Sequence, residues 1–496
     1  MALKMRDDQL ADLVFYIIQK KCMNLSDPGT GKTISVVANQ YRRLQEGMKT
    51  IWCQPLSLIP KNVQEIKDWT GLTDKDIGVL DGSPAKIRRE LEKQPGIVLL
   101  GPDRLKAKVA GVDDYHIYQA LFDQGFRAMD TDEMHMCFGG ATSARTQAFF
   151  EMSKHMEEMV HMTGTIINGR LDTAYPAIQS IDNRYYWGGY DHFLGEHAYL
   201  DDRGKPIAWH NHEKLGAILG RHGIRRTFKS IFGEQPVVPT VQWVEMCEAQ
   251  RTMFEKFRKE AFLELEHFFI DGTLPGTATI RARQIQEHPN VFPDLRDPEH
   301  KLKLPPIDLM PGKRPAKEEA LRIHLDEAQR KGLPLIIFAF FVPQQKQIAK
   351  LCDEMGLTWR MMNGENKATR GQADLDFKEG RAQVMIASPA VASVGFNWQF
   401  WGPQRVETEH VIFMSLSYLP NDFSQGFKRT IRGVRGVPLR LTTMAYYDSM
   451  DLRLMQILED KSLDAHKVDP TQDVIRFNHF ETMDQFGNRF GQPLRT

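Results

Sequence analysis

The sequence predicts an α/β protein of two parallel-sheet lobes with a mainly helical insertion between them. Three observations lead there. A glycine-rich run, Ser26-Asp27-Pro28-Gly29-Thr30-Gly31-Lys32-Thr33, opens directly into a helix-friendly segment. The first 178 residues alternate short apolar runs with amphipathic ones, as a parallel sheet covered by helices requires. The same texture returns between residues 326 and 465.

The elements follow in order. Thr50–Gln54, Gly96–Leu100 and His161–Gly164 read as strands, and Ile34–Gln45, Lys61–Trp69, Ala85–Lys93 and Ala144–Glu158 as helices. Residues 179–325 differ. An aromatic, loop-like stretch, Tyr185-Tyr186-Trp187-Gly188-Gly189-Tyr190, precedes a basic helical patch, Leu215 to Lys229. A long amphipathic stretch, Met246 to Phe269, and a proline-rich charged connector, Phe292 to Pro315, complete an insertion and linker. In the second lobe, Pro334–Phe338, Val384–Ala387 and Val411–Met414 read as buried strands, with helices over Pro343–Met355 and Thr369–Glu379. The division expected is 1–178, 179–325, 326–465, and a polar, weakly patterned tail over 466–496.

Bulk composition excludes several classes. The chain has 496 residues, enough for two or three domains. Sixty-four basic residues balance sixty-four acidic ones, so no overall positive coat advertises nucleic acid, although a local basic groove is still compatible. The start has no apolar core or small-residue cleavage site, and Leu333 to Val342, the longest apolar stretch, is too short to span a bilayer. Five scattered cysteines show no metal-ligand spacing and read as reduced thiols of a cytoplasmic protein. His192, His197, His210 and His212 lie among aromatic residues with no cysteine near, which suggests packing rather than zinc.

The glycine-rich run suits phosphate. Gly29 and Gly31 let the backbone turn tightly and point its N–H groups inward. Lys32 is placed to reach terminal phosphates, and the Thr33 hydroxyl to hold Mg²⁺. The helix that follows offers its N-terminus to the anion. Ser26 stands where the usual form has Gly or Ala. Asp132 and Glu133 come 100 residues after Lys32, at the end of the run Phe126–Thr131, a strand poorer in β-branched residues than usual. One acid would hold the Mg²⁺ shell, and the next would polarise the attacking water. Thr163-Gly164-Thr165 follows at a strand end, where hydroxyls could link two sites. Far downstream, Gln425, Arg429 and Arg432 fall at i, i+4 and i+7, one face of a helix. Arginines there could neutralise charge on a departing phosphate.

These pieces, in this order, resemble the superfamily-two helicases, and within them the Swi/Snf-like DNA translocases, over roughly residues 3 to 465. Arg6-Asp7-Asp8-Gln9 looks like the adenine-reading glutamine motif. Pro55-Leu56-Ser57-Leu58 with Glu65 resembles the next motif, with Asn62 in place of its tryptophan. Asp132-Glu133-Met134-His135 matches the Asp-Glu-x-His box. Thr163-Gly164-Thr165-Ile166-Ile167-Asn168 resembles Thr-Gly-Thr-Pro-x-x-Asn, with Ile166 replacing proline. Ile224-Arg225-Arg226-Thr227-Phe228-Lys229 looks like the Arg-Arg-x-Lys segment of the family's insertion. Asn363-Gly364, then Ser388 through Gly395-Phe396-Asn397, resemble second-lobe motifs, with departures at Pro389, Val391 and Ala392. Gln425, Arg429 and Arg432 fall on the last motif, although Val434 stands where a further glutamine is usual.

The resemblance implies two RecA-like lobes and a DNA-stimulated ATP hydrolase with ATP and Mg²⁺ bound between them. Gln9 would read adenine, and Pro28, Gly29, Thr30, Gly31, Lys32, Thr33 and Gly395 would line the nucleotide. Thr33 and Asp132 would serve the metal, and Lys32, Asp132, Glu133, Arg429 and Arg432 the chemistry. His135, Thr163, Gly164, Thr165 and Gln425 would couple it to movement. Ser57, Lys61, Arg225, Arg226 and Lys229 would touch a nucleic-acid backbone. The expected partner is duplex or branched DNA, read with little sequence preference, with a protein partner in replication, recombination or repair as a further expectation. The chain resembles compact motor cores of phage and bacterial genomes, which implies a bacterial or phage-infected host cytoplasm. Two other readings stay open: a nucleotide-controlled remodeller of a protein such as RNA polymerase or a nuclease, and an RNA helicase.

Overall fold

The computed structural model describes residues 4–109, 115–265, 268–271, 275–293, 305–392 and 396–477. The chain forms two units. One comprises Met1–Gly233 with Lys461–Val474, the other Glu234–Asp460 with Ile475–Thr496. Gly395 and most of the polar tail, from residue 478 on, lie outside the described residues.

The first unit is built on a seven-stranded sheet in the order Ile77–Leu80, Ile97–Leu100, Lys49–Cys53, Phe126–Thr131, Glu158–Met162, Lys21–Asn24, Gly223–Ile224. Every pairing in it is parallel. Successive strand residues point to opposite faces, and both faces are covered. Ile51, Cys53, Val98 and Leu100 therefore pack into one core, and Trp52, Ile97 and Leu99 into the other. That is why these strands read as unbroken apolar runs.

The helix Lys32–Gln45 is bolted to this sheet by charge. Arg43 is fully buried and donates to both oxygens of Asp130 at 2.9 Å and to Glu158 at 2.7 Å. Arg42 adds a second donor to Glu158 at 2.5 Å. A buried guanidinium is tolerated only with such pairing. The pairing fixes the helix that follows the glycine-rich run against the strand that ends beside Asp132.

The second unit carries a six-stranded sheet in the order Val237–Val244, Leu439–Tyr446, His410–Phe413, Leu335–Phe338, Val384–Ala387, Trp359–Met362. It too is parallel throughout. Leu335, Ile337, Val384, Ile386 and Ile412 share a core with Leu321, Leu325, Ile348 and Cys352 from two covering helices. Among the described residues, no helix is long and apolar enough to cross a membrane.

The stretch between the lobes is mainly helical and also lends an edge strand to each sheet, Gly223–Ile224 to the first and Val237–Val244 to the second. The basic patch splits accordingly into helix His212–His222, that short first strand, and helix Phe228–Phe232. The amphipathic stretch is helical only over Glu248–Glu260. Ala261, at φ +51°, ends it, and strands Phe262–Leu265 and Phe268–Asp271 pair as a hairpin. The expected helix Ala144–Glu158 stops at Ser153, because Glu158–Met162 is buried throughout and forms a central strand.

Candidate nucleotide site

Parallel strands place their carboxyl ends on one edge, where ligands of open α/β sheets bind. Four neighbouring strands, Lys49–Cys53, Phe126–Thr131, Glu158–Met162 and Lys21–Asn24, deliver four of the motif loops there. These loops hold Pro55–Lys61, Asp132-Glu133, Thr163–Thr165 and Ser26–Gly31. Motifs spread over 140 residues of sequence thus meet on one edge of one sheet.

The glycine-rich loop needs its glycines. Gly29 and Gly31 stand at φ +87° and +88°, the left-handed region that other residues rarely adopt. A β-carbon on Gly31 would lie 2.5 Å from the Gln9 amide nitrogen. Ser26 has positive use at its position: its hydroxyl accepts the Arg226 backbone N–H at 2.9 Å. Thr30 turns inward and donates to the Asp27 carbonyl at 2.8 Å. The Lys32 ammonium donates to the Ser26 and Asp27 carbonyls at 2.6 and 3.1 Å. Burial lowers the Lys32 pKa, while Glu133, Asp132 and Asp27 pull it back up, so three acids converge on this amine. The start of the first helix closes the loop from outside. Gln9 donates to the Gly31 carbonyl at 3.2 Å and Arg6 to the Thr30 carbonyl at 2.6 Å.

Asp132 and Glu133 sit where the central strand ends. Glu133 is held at φ +47°, a strained backbone for a non-glycine residue, and its N–H bonds Asp132 Oδ1 at 3.0 Å. Burial, and then the Glu133 charge, raise the Asp132 pKa to about 6. An acid whose ionisation is opposed in this way gains most from a hard cation, which carboxylate and hydroxyl oxygens suit. The Asp132 carboxylate therefore suits a hard cation such as Mg²⁺, and Thr33 stands in the first turn of the helix that follows the loop. Asn62 donates to Asp132 Oδ2 at 3.5 Å and also bonds Gln54, so the residue in the tryptophan position faces the acid.

Of the residues expected to couple the site, His135, Thr163 and Thr165 form a chain beside Glu133, while Gln425 belongs to the second unit. His135 Nδ1 lies 3.7 Å from Glu133 Oε2 and 2.9 Å from the Thr163 hydroxyl. Burial depresses the His135 pKa, which favours the neutral ring. Thr163 donates to the Thr165 carbonyl at 3.0 Å and accepts the Thr165 N–H at 3.1 Å.

The residues expected at nucleic acid fall into two groups. Ser57, Lys61 and Lys229 are exposed, with Lys61 3.4 Å from Glu65. Arg225 and Arg226 turn inward onto the glycine-rich loop and the first helix: Arg225 pairs with Asp27 at 2.8 Å, and Arg226 with Asp12 at 3.2 Å. In the second unit, helix Pro420–Phe427 ends before the arginines. Lys428–Thr430 tightens to a 3-10 turn and Ile431 is extended, so Gln425, Arg429 and Arg432 do not share one helix face. The Thr430 hydroxyl takes the Phe427 carbonyl at 2.7 Å, ending the ladder. Arg429 is buried, and Arg432 donates to the Phe396 carbonyl at 3.1 Å. Among the four histidines, His192 and His197 pack on Tyr186 and His210 on Tyr199, with ring centroids 6.0, 5.7 and 4.6 Å apart. His212 lies 3.4 Å from Asp464.

Sequence reasoning passed over Asp27 and Asp12. Both are acids next to motif residues, and a basic pair some two hundred residues on offered partners for them. Nothing local in the sequence joined the two.

No protein-family model matches the chain, and no curated protein does. Among solved structures, it is similar to the Hef helicase domain of Pyrococcus furiosus, at 14% identity and a TM-score of 0.50 over 90% of this chain and 97% of that one. It is also similar to the SWI2/SNF2 ATPase core of Sulfolobus solfataricus in complex with double-stranded DNA, at 16% identity and a TM-score of 0.39 over 95% and 98%. With its two parallel sheets and their covering helices, this chain has a fold of two RecA-like lobes, the fold it shares with the Hef helicase domain.

Proposed function

We propose that this protein is an ATP hydrolase of the helicase type that uses the hydrolytic cycle to move along duplex or branched DNA. The observation that carries this reading is the gathering of Lys32, Asp132, Glu133 and Thr163 on one sheet edge, with His135 Nδ1 bonded to the Thr163 hydroxyl and close to the Glu133 carboxylate.

In this reading the loop Pro28–Thr33 wraps the phosphates, and Lys32 leaves its two loop carbonyls for phosphate oxygens. Mg²⁺ held by Thr33 and Asp132 would supply charge neutralisation at the phosphates. Glu133 orients and polarises the attacking water. Gln9, already against Gly31, reads the base. Arg429 and Arg432 neutralise charge as the terminal phosphate leaves. His135, Thr163, Gly164, Thr165 and Gln425 report the nucleotide state to the nucleic acid. Ser57, Lys61 and Lys229 contact its backbone without choosing sequence.

The test is ATP turnover by the wild type, Lys32→Ala and Glu133→Gln, each alone and with duplex DNA, single-stranded DNA or RNA. Duplex DNA stimulates the wild type, and both variants lose turnover while keeping their circular dichroism. Unchanged hydrolysis in either variant overturns the reading. Stimulation by RNA alone makes the protein an RNA helicase. Hydrolysis indifferent to every nucleic acid favours a remodeller of a protein partner.

A further inference from the structure

Arg225 stands between two segments that the chain brings together from nearly opposite ends. On one side its guanidinium pairs with Asp27 Oδ1 at 2.8 Å and donates to the carbonyls of Leu25 and, at 3.4 Å, of Gly164. On the other side its Nε donates to the Thr471 hydroxyl at 2.9 Å and lies 3.2 Å from Asp469 Oδ2, an ion pair. Both of these belong to Lys461–Val474, which folds with the first unit. Asp469 in turn accepts the Thr471 N–H at 3.0 Å and its hydroxyl at 2.6 Å, so this side is a preset acceptor pair. Gly216, one helix away, lies against the same segment: a β-carbon there would meet the Val468 carbonyl oxygen at 2.3 Å.

Asp27 is an odd residue for a loop that receives anions. Left unpaired, its charge would repel phosphate. Arg225 and the Phe228 N–H, at 2.8 Å, both engage it. Arginine suits this place because its planar fork can reach an acid, a hydroxyl and several carbonyls at once, where lysine offers a single point charge.

We propose that Arg225 is a positioning residue for the nucleotide, holding the phosphate loop in its receiving shape, and that the turn Asp469–Thr471 fixes the plane of its guanidinium. The proposal rests on the reading of Ser26–Thr33 as a nucleotide loop. It gives Arg225 a role in nucleotide binding in place of contact with a nucleic-acid backbone.

The test measures ADP affinity by calorimetry in EDTA, together with duplex-DNA affinity and the KM and kcat of ATP turnover. The variants are Arg225→Ala, Arg225→Lys, the paired change Asp469→Ala with Thr471→Ala, and the combination of that pair with Arg225→Ala. Arg225→Ala weakens ADP binding at least ten-fold, and Arg225→Lys recovers only part of the loss. The turn variant, altered at a partly exposed turn that meets the loop only through the Arg225 guanidinium, weakens ADP binding about three- to ten-fold and raises KM for ATP with kcat unchanged. The combined variant is no worse than Arg225→Ala, since both changes break one linkage. Additive losses, or a turn variant that binds ADP as the wild type does, overturn the proposal and leave the nucleotide-loop reading standing. Loss of DNA affinity with intact ADP affinity in Arg225→Ala also overturns it. A wild type that binds no ADP overturns both.

Discussion

Gly164 lies against Pro28 so closely that a β-carbon on Gly164 would stand 2.6 Å from the proline Cδ and 2.9 Å from its Cγ. The strand end that carries Thr163 and Thr165 is therefore in contact with the glycine-rich loop itself. Neither partner can give easily, since one is a proline ring and the other a backbone spanned by two hydrogen bonds between Thr163 and Thr165. Gly164→Ala should displace the loop by a few tenths of an ångström and lower kcat/KM for ATP about ten- to hundred-fold, given the sensitivity of catalysis to sub-ångström misplacement. The fold should survive, because the added methyl faces a loop and leaves the core alone. Turnover assays beside thermal melting separate the two, and a fully active Gly164→Ala would show that the contact relaxes freely.

The link from Arg43 to Asp130 and Glu158 makes a stability prediction. Replacing Arg43 with Met removes a fully buried cation and leaves Asp130 in the core without its counter-charge, bonded only to neutral donors, Gln40 and the Val160 N–H. The cost should be about 3–5 kcal/mol, because the orphaned acid keeps its desolvation penalty. Changing Asp130 to Leu in the same molecule should return part of that loss. Urea denaturation of the single and double variants measures it. An additive double variant would mean that the ion pair is not the unit of stability here.

His161 predicts how the first unit responds to acid. Its ring is fully buried, with Nδ1 3.0 Å from the Thr131 hydroxyl and Nε2 2.8 Å from that of Ser180. Burial pushes its pKa down to about 3. Between that value and the unfolded value of about 6.5, the unfolded chain binds a proton that the native chain refuses. Stability is thus intact above about pH 6.5 and is lost as the pH falls towards 3. One such group accounts for about 2 kcal/mol between pH 7 and pH 5. In His161→Gln, which keeps an amide for the two hydroxyls, stability should fall less over that interval by this amount. Parallel pH dependence in the two proteins would assign the acid response elsewhere, for example to His410 or His288 in the second unit, whose pKa values also fall, to about 3 and about 4.

The sheets were legible because their strands are buried on both faces. Ile97–Leu100 and Val384–Ala387 are apolar at every position, and such runs need no partner to be recognised. The tight turn before helix Lys32–Gln45 was legible because its glycines, lysine and hydroxyl are contiguous. What could not be read was contact at a distance. Asp27 and Arg225 meet only because Gly223–Ile224 adds an edge strand beside Lys21–Asn24, and two residues carry no periodicity. The arginine face at 425–432 was misread because helical spacing was extended past Phe427, where the chain tightens and then straightens. The helix limit at Ser153 was missed for the converse reason: Glu158 and His161 are polar residues inside a buried strand, satisfied by Arg43 and by two hydroxyls that the sequence does not place.

Gln425 carries the last prediction. Its side chain is 2% exposed, and both amide atoms lack a hydrogen-bond partner. Nearby on the same helix, the amide nitrogen of the buried Asn421 is likewise unpartnered. A buried amide left unmade costs about 1–3 kcal/mol, so an apolar residue of similar size should be the more stable choice. Retaining a glutamine there makes sense if the amide is satisfied in another state of the cycle, when nucleotide and nucleic acid are bound. Gln425→Leu should accordingly raise the unfolding free energy of the second unit, read from urea denaturation, by about 1–2 kcal/mol, while reducing the stimulation of ATP turnover by duplex DNA. The unstimulated rate should change little, because the amide is idle without a partner. A variant that loses stability would show that the glutamine is structurally engaged. One that gains stability and keeps full stimulation would remove Gln425 from the coupling path.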